Sequence, residues 1–156
     1  MSGALKLEFA PLTVPPKGVL VLFCEEGLKF GSAARRIMEP TGDLIARAAA
    51  ADRFKGKNGS ALDIVAPAGL AVPRLLVIGV GKARDLKAQD FVKLGGTAMG
   101  KVPGAAGEAT VVADLPGGAL KPDRIADLAL GVQLRTYAFD RYKTCLLYTS
   151  PSPRDS

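Results

Sequence analysis

Two short, unbroken apolar runs dominate the chain, Gly18–Cys24 (GVLVLFC) and Arg74–Val80 (RLLVIGV). Runs of this length, rich in β-branched residues and bounded by turn residues, suit strands buried on both faces. Leu5–Ala10 instead alternates apolar and polar side chains, as a half-buried strand does. Ala61–Ala66, ending at Pro67, and Glu108–Leu115, stopped by Pro116-Gly117-Gly118, read as two further strands. Pro73 stands at the start of the 74–80 run, where a missing N–H does least harm to a ladder.

Between these strands the pattern turns helical. Gly31–Met38 has helical composition with Ser32 as its candidate N-cap, and Pro40-Thr41-Gly42 interrupts it. A second helix opens at Thr41 or Asp43 and runs through Ala51, with Leu44, Ile45 and Ala48 on one face. Ala88–Lys101 forms a third helix, weakened by Gly95-Gly96. Pro122 opens the last one, in the position where proline is welcome. There Ile125, Leu128, Val132, Thr136 and Phe139 recur at helical spacing, and Leu130, Leu134 and Tyr137 widen the apolar face. Arg124, Asp127, Gly131 and Arg135 fall opposite, so the helix is expected to pack on one side. The order β-β-α-β-β-α-β-α predicts an α/β fold, a mixed but mostly parallel sheet with helices on both faces. The length of 156 residues fits one domain, and no internal repeat is visible.

Composition narrows the chemistry. Histidine is absent, which removes the commonest general base and the commonest zinc ligand. A self-contained Ser-His-Asp, Cys-His or His-metal site is thereby excluded. The two cysteines, Cys24 and Cys145, show no metal-ligand spacing and no disulfide framework. Cys24 ends an apolar run and reads as a small buried hydrophobe. No apolar run approaches the roughly 20 residues of a membrane span, and no secretory segment is read at the start, so the cytoplasm is the expected location. The net charge of +6 comes from scattered basic residues, among them Arg35, Arg36, Lys55, Lys57, Lys82 and Arg84. With tryptophan absent and aromatics few, these read as a solvated basic surface, and nucleic acid is a second-rank partner.

Three polar motifs invite a functional reading. Gly79-Val80-Gly81-Lys82 follows a buried strand as a phosphate loop would. Its spacing is too short for a Walker loop and Ala83 stands where Ser or Thr is needed, so the glycines read as relief for a tight turn. Glu25-Glu26, and Asp85 with Asp90, are carboxylate pairs, but acid–base work needs enclosure to split their pKa values; Glu25-Glu26 reads as an exposed, solvated turn. Asp140-Arg141-Tyr142-Lys143 closes the last helix, with basic residues suited to a helix C-terminus. Pro151-Ser152-Pro153-Arg154 has the composition of a disordered tail.

Taken together and in order, several segments resemble the N-terminal domain of the leucyl aminopeptidase (cytosol aminopeptidase) family. Phe54-Lys55-Gly56-Lys57 is similar to its "F-x-G-K" junction, and Arg74–Lys82 to its "L-V-G-L-G-K" strand and turn. Ala129–Thr144 is similar to its closing helix, which ends in "Y-x-F-D-x-Y-K-T". The resemblance implies a macro-like N-terminal domain over residues 1–144, joined in the parent enzyme to a C-terminal catalytic domain. That domain would hold two divalent metals (zinc, manganese or magnesium) and release N-terminal amino acids, often leucine. It also implies a cytoplasmic hexamer. None of the family's metal-ligand motifs, such as "N-T-D-A-E-G-R-L", occurs here, so no catalytic, metal-binding or substrate-binding residue carries over.

The chain changes character at Cys145. Cys145–Asp155 (CLLYTSPSPRD) matches, letter for letter, the translation of a transposon-type sequencing adapter. Residues 145–156 are therefore expected to be a non-native tail. Leu146, Leu147 and Tyr148 are expected to be disordered or to prolong the last helix briefly before Pro151 stops it. On this reading the chain is the front of an enzyme whose catalytic half is missing.

Overall fold

A computed structural model of the protein describes residues 6–11, 18–102, 108–116, 118–136 and 143–148. They form β1 (Lys6–Pro11), β2 (Val19–Glu25), α1 (Ser32–Met38), α2 (Leu44–Asp52), β3 (Ala61–Val65) and β4 (Arg74–Gly81). After these come α3 (Ala88–Lys101), β5 (Glu108–Leu115), β6 (Gly118–Ala119), α4 (Pro122–Thr136) and β7 (Lys143–Tyr148). The strand order is β1-β7-β5-β2-β4-β3. The first five of these run parallel, and β3 pairs antiparallel with β4 at the edge. The short β6 pairs antiparallel with the end of β5.

The unbroken apolar runs are explained by the two layers of helix. Along β2, Val19, Val21 and Phe23 join Leu76, Ile78 and Val80 of β4 in a core beneath α3 and α4. The alternate residues Leu20, Leu22 and Cys24 join Leu75 and Val77 in a second core beneath α1 and α2. A strand that feeds both cores has no face left for polar side chains, and its period of two disappears from the sequence. Each fully buried Leu or Ile here contributes about 1.5–3 kcal/mol relative to exposure. β3, at the edge, keeps a partial alternation, with Leu62 buried and Asp63 and Val65 exposed.

Two expectations about the helices need correction. Ser32 is exposed and is not the cap of α1; Gly31 holds that position and makes no side-chain cap of its own. On α4, Leu130 and Leu134 are 46% and 62% exposed, so they lie off the packed face. Gly131, by contrast, lies buried against α3 rather than facing solvent. A second helix covers the side carrying Leu128 and Gly131 and partly covers Arg124. Arg124 lies 5.7 Å from the ring centre of Phe91 on α3 and pairs with Asp127 at 3.1 Å. An α4 stripe that looks polar in isolation is thus an interface once α3 is in place.

The α3–α4 contact is set by backbone-to-backbone approach. A Cβ on Gly131 would land on the Val92 carbonyl oxygen, and one on Gly95 would land on the Leu128 carbonyl oxygen. Glycine costs each helix about 1 kcal/mol relative to alanine, yet the close approach requires it. The strand β7 is the main departure from expectation. The backbone of Lys143–Tyr148 is neither disordered nor helical but runs between β1 and β5. The expected helix end at Tyr137–Phe139 and the Pro151–Arg154 segment lie outside the described residues. We predict that Gly131→Ala lowers stability despite its better helix propensity, because overpacking against backbone costs about 1–3 kcal/mol. Urea denaturation followed by circular dichroism reads this as a lower midpoint; a raised midpoint would contradict the packing described.

Candidate functional site at the C-terminal edge of the sheet

In open α/β sheets ligands bind beyond the carboxyl ends of the strands, where neighbouring connections leave for opposite faces. Here that point lies between β2 and β5, which are adjacent in the sheet. β2 leads to α1 on one face and β5 to α4 on the other. The crevice is filled by the chain's own carboxylate. Asp114, near the end of β5 and 2% exposed, accepts a hydrogen bond from the Ala34 N–H at 3.0 Å. It thereby occupies the first turn of α1, where an anionic ligand would otherwise meet free N–H donors. A Cβ on Gly31 would land on the Asp114 carboxylate, so glycine at that position makes the approach feasible.

Burial pushes the Asp114 carboxyl above the usual carboxylate range. The N–H groups of Ala34, Ala33 and Leu115 and the charge of Arg35 pull the other way without cancelling it. This residue was not singled out from the sequence. The available signal was a lone aspartate inside the apolar run Thr110–Leu115, a position where a charge needs a partner.

Two of the other carboxylates singled out from the sequence, Glu25 and Asp90, also have structural partners. Glu25 is only half-buried, but its Oε2 accepts the Ala83 N–H at 2.7 Å. It joins the end of β2 to the turn after β4, a correction to its reading as a solvated surface charge. Glu26 is exposed. Asp90 accepts the Lys87 N–H at 2.8 Å and so caps α3, while Asp85 is exposed. No enclosed pair of carboxylates results from either motif.

Gly79-Val80-Gly81-Lys82 is equally committed to the fold. The Gly79 N–H donates to Ser60 O at 2.8 Å and the Gly81 N–H to Gly56 O at 2.9 Å, so neither is available to a phosphate. Segment 55–60 runs alongside the end of β4, and a Cβ on Gly79 would land on the Lys57 carbonyl oxygen. Gly81 has φ +74°, the left-handed conformation that glycine adopts without cost. The turn-relief reading of the pair holds, with close approach of a loop as the reason at Gly79. Cys24 is fully buried, and burial pushes its thiol up to about 12; it is no nucleophile at neutral pH.

A groove of about 750 Å³ opens between α2 and segment 53–60. Arg53, Lys55 and Lys57 line it beside Leu28 and Phe54, and no carboxylate does. Among the described residues no group of three or more His, Cys, Asp or Glu could hold a metal ion. The two metals implied by the resemblance therefore find no ligand set in the residues described. No helix among those residues is long and apolar enough to cross a membrane. Residues 140–142 of the Asp140–Lys143 cluster lie outside the described region.

Residues 21–145 match the family model described as the N-terminal domain of the cytosol aminopeptidase family. The chain belongs to that family. A probable cytosol aminopeptidase of Afipia carboxidovorans is 56% identical over 144 residues, which cover 92% of this chain and 29% of the relative. One from Xanthobacter autotrophicus is 54% identical over the same shares. The chain thus spans less than a third of the length of these curated relatives. A tomato leucine aminopeptidase mutant shares the fold with a TM-score of 0.70 and 16% identity, over 97% of this chain and 34% of that one. The IBV X-domain does so with a TM-score of 0.64 and 13% identity, over 97% and 95%. The α/β, macro-like reading of the fold is therefore correct.

The raised Asp114 pKa yields a pH prediction for this cytosol aminopeptidase domain. Below the unfolded carboxyl pKa both states hold the proton and the buried group carries no charge. As pH rises, the unfolded chain releases its proton first, and the native state must then bury a charge. Asp114 therefore subtracts stability as pH rises from the unfolded value through the raised native value. Asp114→Asn removes this titration, so its stability relative to the unsubstituted protein should increase as pH rises above about 4, the ordinary carboxyl value. Denaturant midpoints of both proteins from about pH 4 upward test this; a gap that narrows with pH would contradict it. Asp114→Ala, which leaves the α1 N–H groups unmet, should cost about 1–3 kcal/mol at the acid end of that range, and the cost should shrink as pH rises because the same titration is removed.

Proposed function

We propose that this chain is the non-catalytic N-terminal part of a cytosolic metallo-aminopeptidase. The observation that carries the reading is a family match over residues 21–145 in a chain spanning 29% of its relative's length. The local chemistry agrees, because the carboxylates at the sheet edge serve as caps and ties and the buried thiol is inert. The longer protein would release N-terminal amino acids, often leucine, by hydrolysis. Its two divalent metals, zinc, manganese or magnesium, would bind in a C-terminal catalytic domain, and no step of that reaction runs through the residues described. Cytoplasmic location and assembly as a homo-hexamer belong to the same reading. So does the view that residues 145–156 are a non-native tail. Leu130 and Leu134, exposed on α4, supply apolar surface of the kind a neighbouring domain covers.

The purified chain, given manganese or zinc, should show no metal-dependent turnover of leucine amide. The polypeptide extended by the coding sequence that follows Thr144 in the source genome should show it. Turnover by the chain alone would overturn the non-catalytic assignment.

A second reading, a macro-like nucleotide or nucleic-acid binding module, rests on the groove lined by Arg53, Lys55 and Lys57. Its weakness is that Asp114 already occupies the α1 N-terminus. Titration with ADP-ribose and with duplex DNA at two salt concentrations tests it. Saturable binding with a steep salt slope, lost in Arg53→Ala, would favour this reading over the first.

A further inference from the structure

The sheet is completed by a strand that runs past the end of the match to the family model. β7 lies between β1 and β5 and is in parallel register with both. Lys143 to Tyr148 pair residue by residue with Lys6 to Pro11 on one side and with Glu108 to Ala113 on the other. β7 is the strand that joins β1 to the rest of the sheet. The match to the family model ends at residue 145, so Leu146, Leu147 and Tyr148 lie beyond it. Half of a strand bordered on both sides by other strands is thus supplied by residues of this chain that lie beyond its match to the family model.

β5 explains why a strand is needed there. Ala109, Val111 and Ala113 belong to the core beneath α3 and α4, and Val112 to the core beneath α1 and α2. Its side chains are thus buried on both faces. Its pairing with β2 covers only Ala109–Val111 and only one edge. Without a neighbour on the other edge, its N–H and C=O groups there would face a low-dielectric interior or an open, aggregation-prone border. The requirement is set by main-chain groups, which every residue except proline supplies.

We propose that the gap between β1 and β5 is an acceptor slot for one parallel strand of about six residues, recognised through its backbone. In this chain the occupant is Lys143–Tyr148 of the same molecule. The slot takes other β-prone, proline-free sequences in the same register, including a free extended peptide when the covalent strand is disabled. This assignment is independent of what the longer protein catalyses.

Hydrogen exchange of the whole chain, read by mass spectrometry, tests the slot in three steps. In the unsubstituted protein, amides of Leu7–Ala10, Ala109–Ala113 and Thr144–Leu147 should be protected together; free exchange across Thr144–Leu147 would overturn the proposal without any variant. Leu146→Pro removes a ladder donor and should speed exchange in β1 and in β5 roughly tenfold or more, the factor that one unmet buried ladder group carries. β4 should stay protected, and unchanged β1 exchange would contradict the assignment. The double variant Cys145→Val, Leu147→Ile keeps strand propensity and should retain the protection; its loss would show that side chains, not backbone, select the occupant. Finally, an acetylated peptide with the sequence of residues 143–148 and Ser in place of Cys, added to the Leu146→Pro protein, should restore β1 protection. No restoration at millimolar peptide would remove the peptide-accepting part of the proposal. A dimer on size-exclusion chromatography, with β7 contributed by the second copy, would contradict occupation within one molecule.

Discussion

A strand with side chains in two cores must have both of its edges paired, and this constraint organises the molecule. β2, β4 and β5 each send alternate residues above and below the sheet, so no face of them is left to water. Their main-chain groups can then be satisfied only by neighbours in the plane. β4 is covered by β2 and β3, β2 by β4 and β5, and β5 by β2 and β7. The helices follow from the same requirement. α1 and α2 close one face, and α3 and α4 close the other with a glycine-mediated contact that brings their backbones together.

The groups that look chemical in this setting act as fasteners. Asp114 joins β5 to the start of α1, Glu25 joins β2 to the turn after β4, and Asp90 holds the start of α3. The glycines of the 79–82 turn offer their N–H groups to the neighbouring 55–60 segment rather than to a ligand. An open α/β sheet commonly presents a crevice at the carboxyl ends of its strands; here Asp114 closes it from within. The carboxylate that closes it is committed to the fold, in a chain whose residues 21–145 match the N-terminal domain of the cytosol aminopeptidase family.

Much of the fold was legible in the sequence because burial leaves a direct imprint on it. The bounds of α3 and β5 were read at Ala88–Lys101 and Glu108–Leu115, and β2, β3 and β4 were read to within a residue or so. What escaped were properties of pairs. Gly131 reads as lying opposite the packed face because helical spacing shows which residues share a face, not that a second helix will cover an adjacent one. Ser32 was chosen as a cap by residue type, whereas the cap comes from Asp114, 80 positions away from Ala34. β7 was missed for a related reason: its strand character depends on a vacant slot between β1 and β5, and no local pattern announces that vacancy. By residue pattern, Lys143 reads as the end of the last helix and Cys145–Tyr148 as the start of a tail.

Backbone NMR of the isotopically labelled chain tests most directly how the buried strand edges are satisfied. The pairing of β7 with β1 and β5 predicts cross-strand contacts linking Thr144–Leu147 to both neighbours, with Cys145 close to Glu8 on one side and to Thr110 on the other, and extended-strand chemical shifts throughout the segment. Random-coil or helical shifts for these residues, with no contacts to β5, would contradict it.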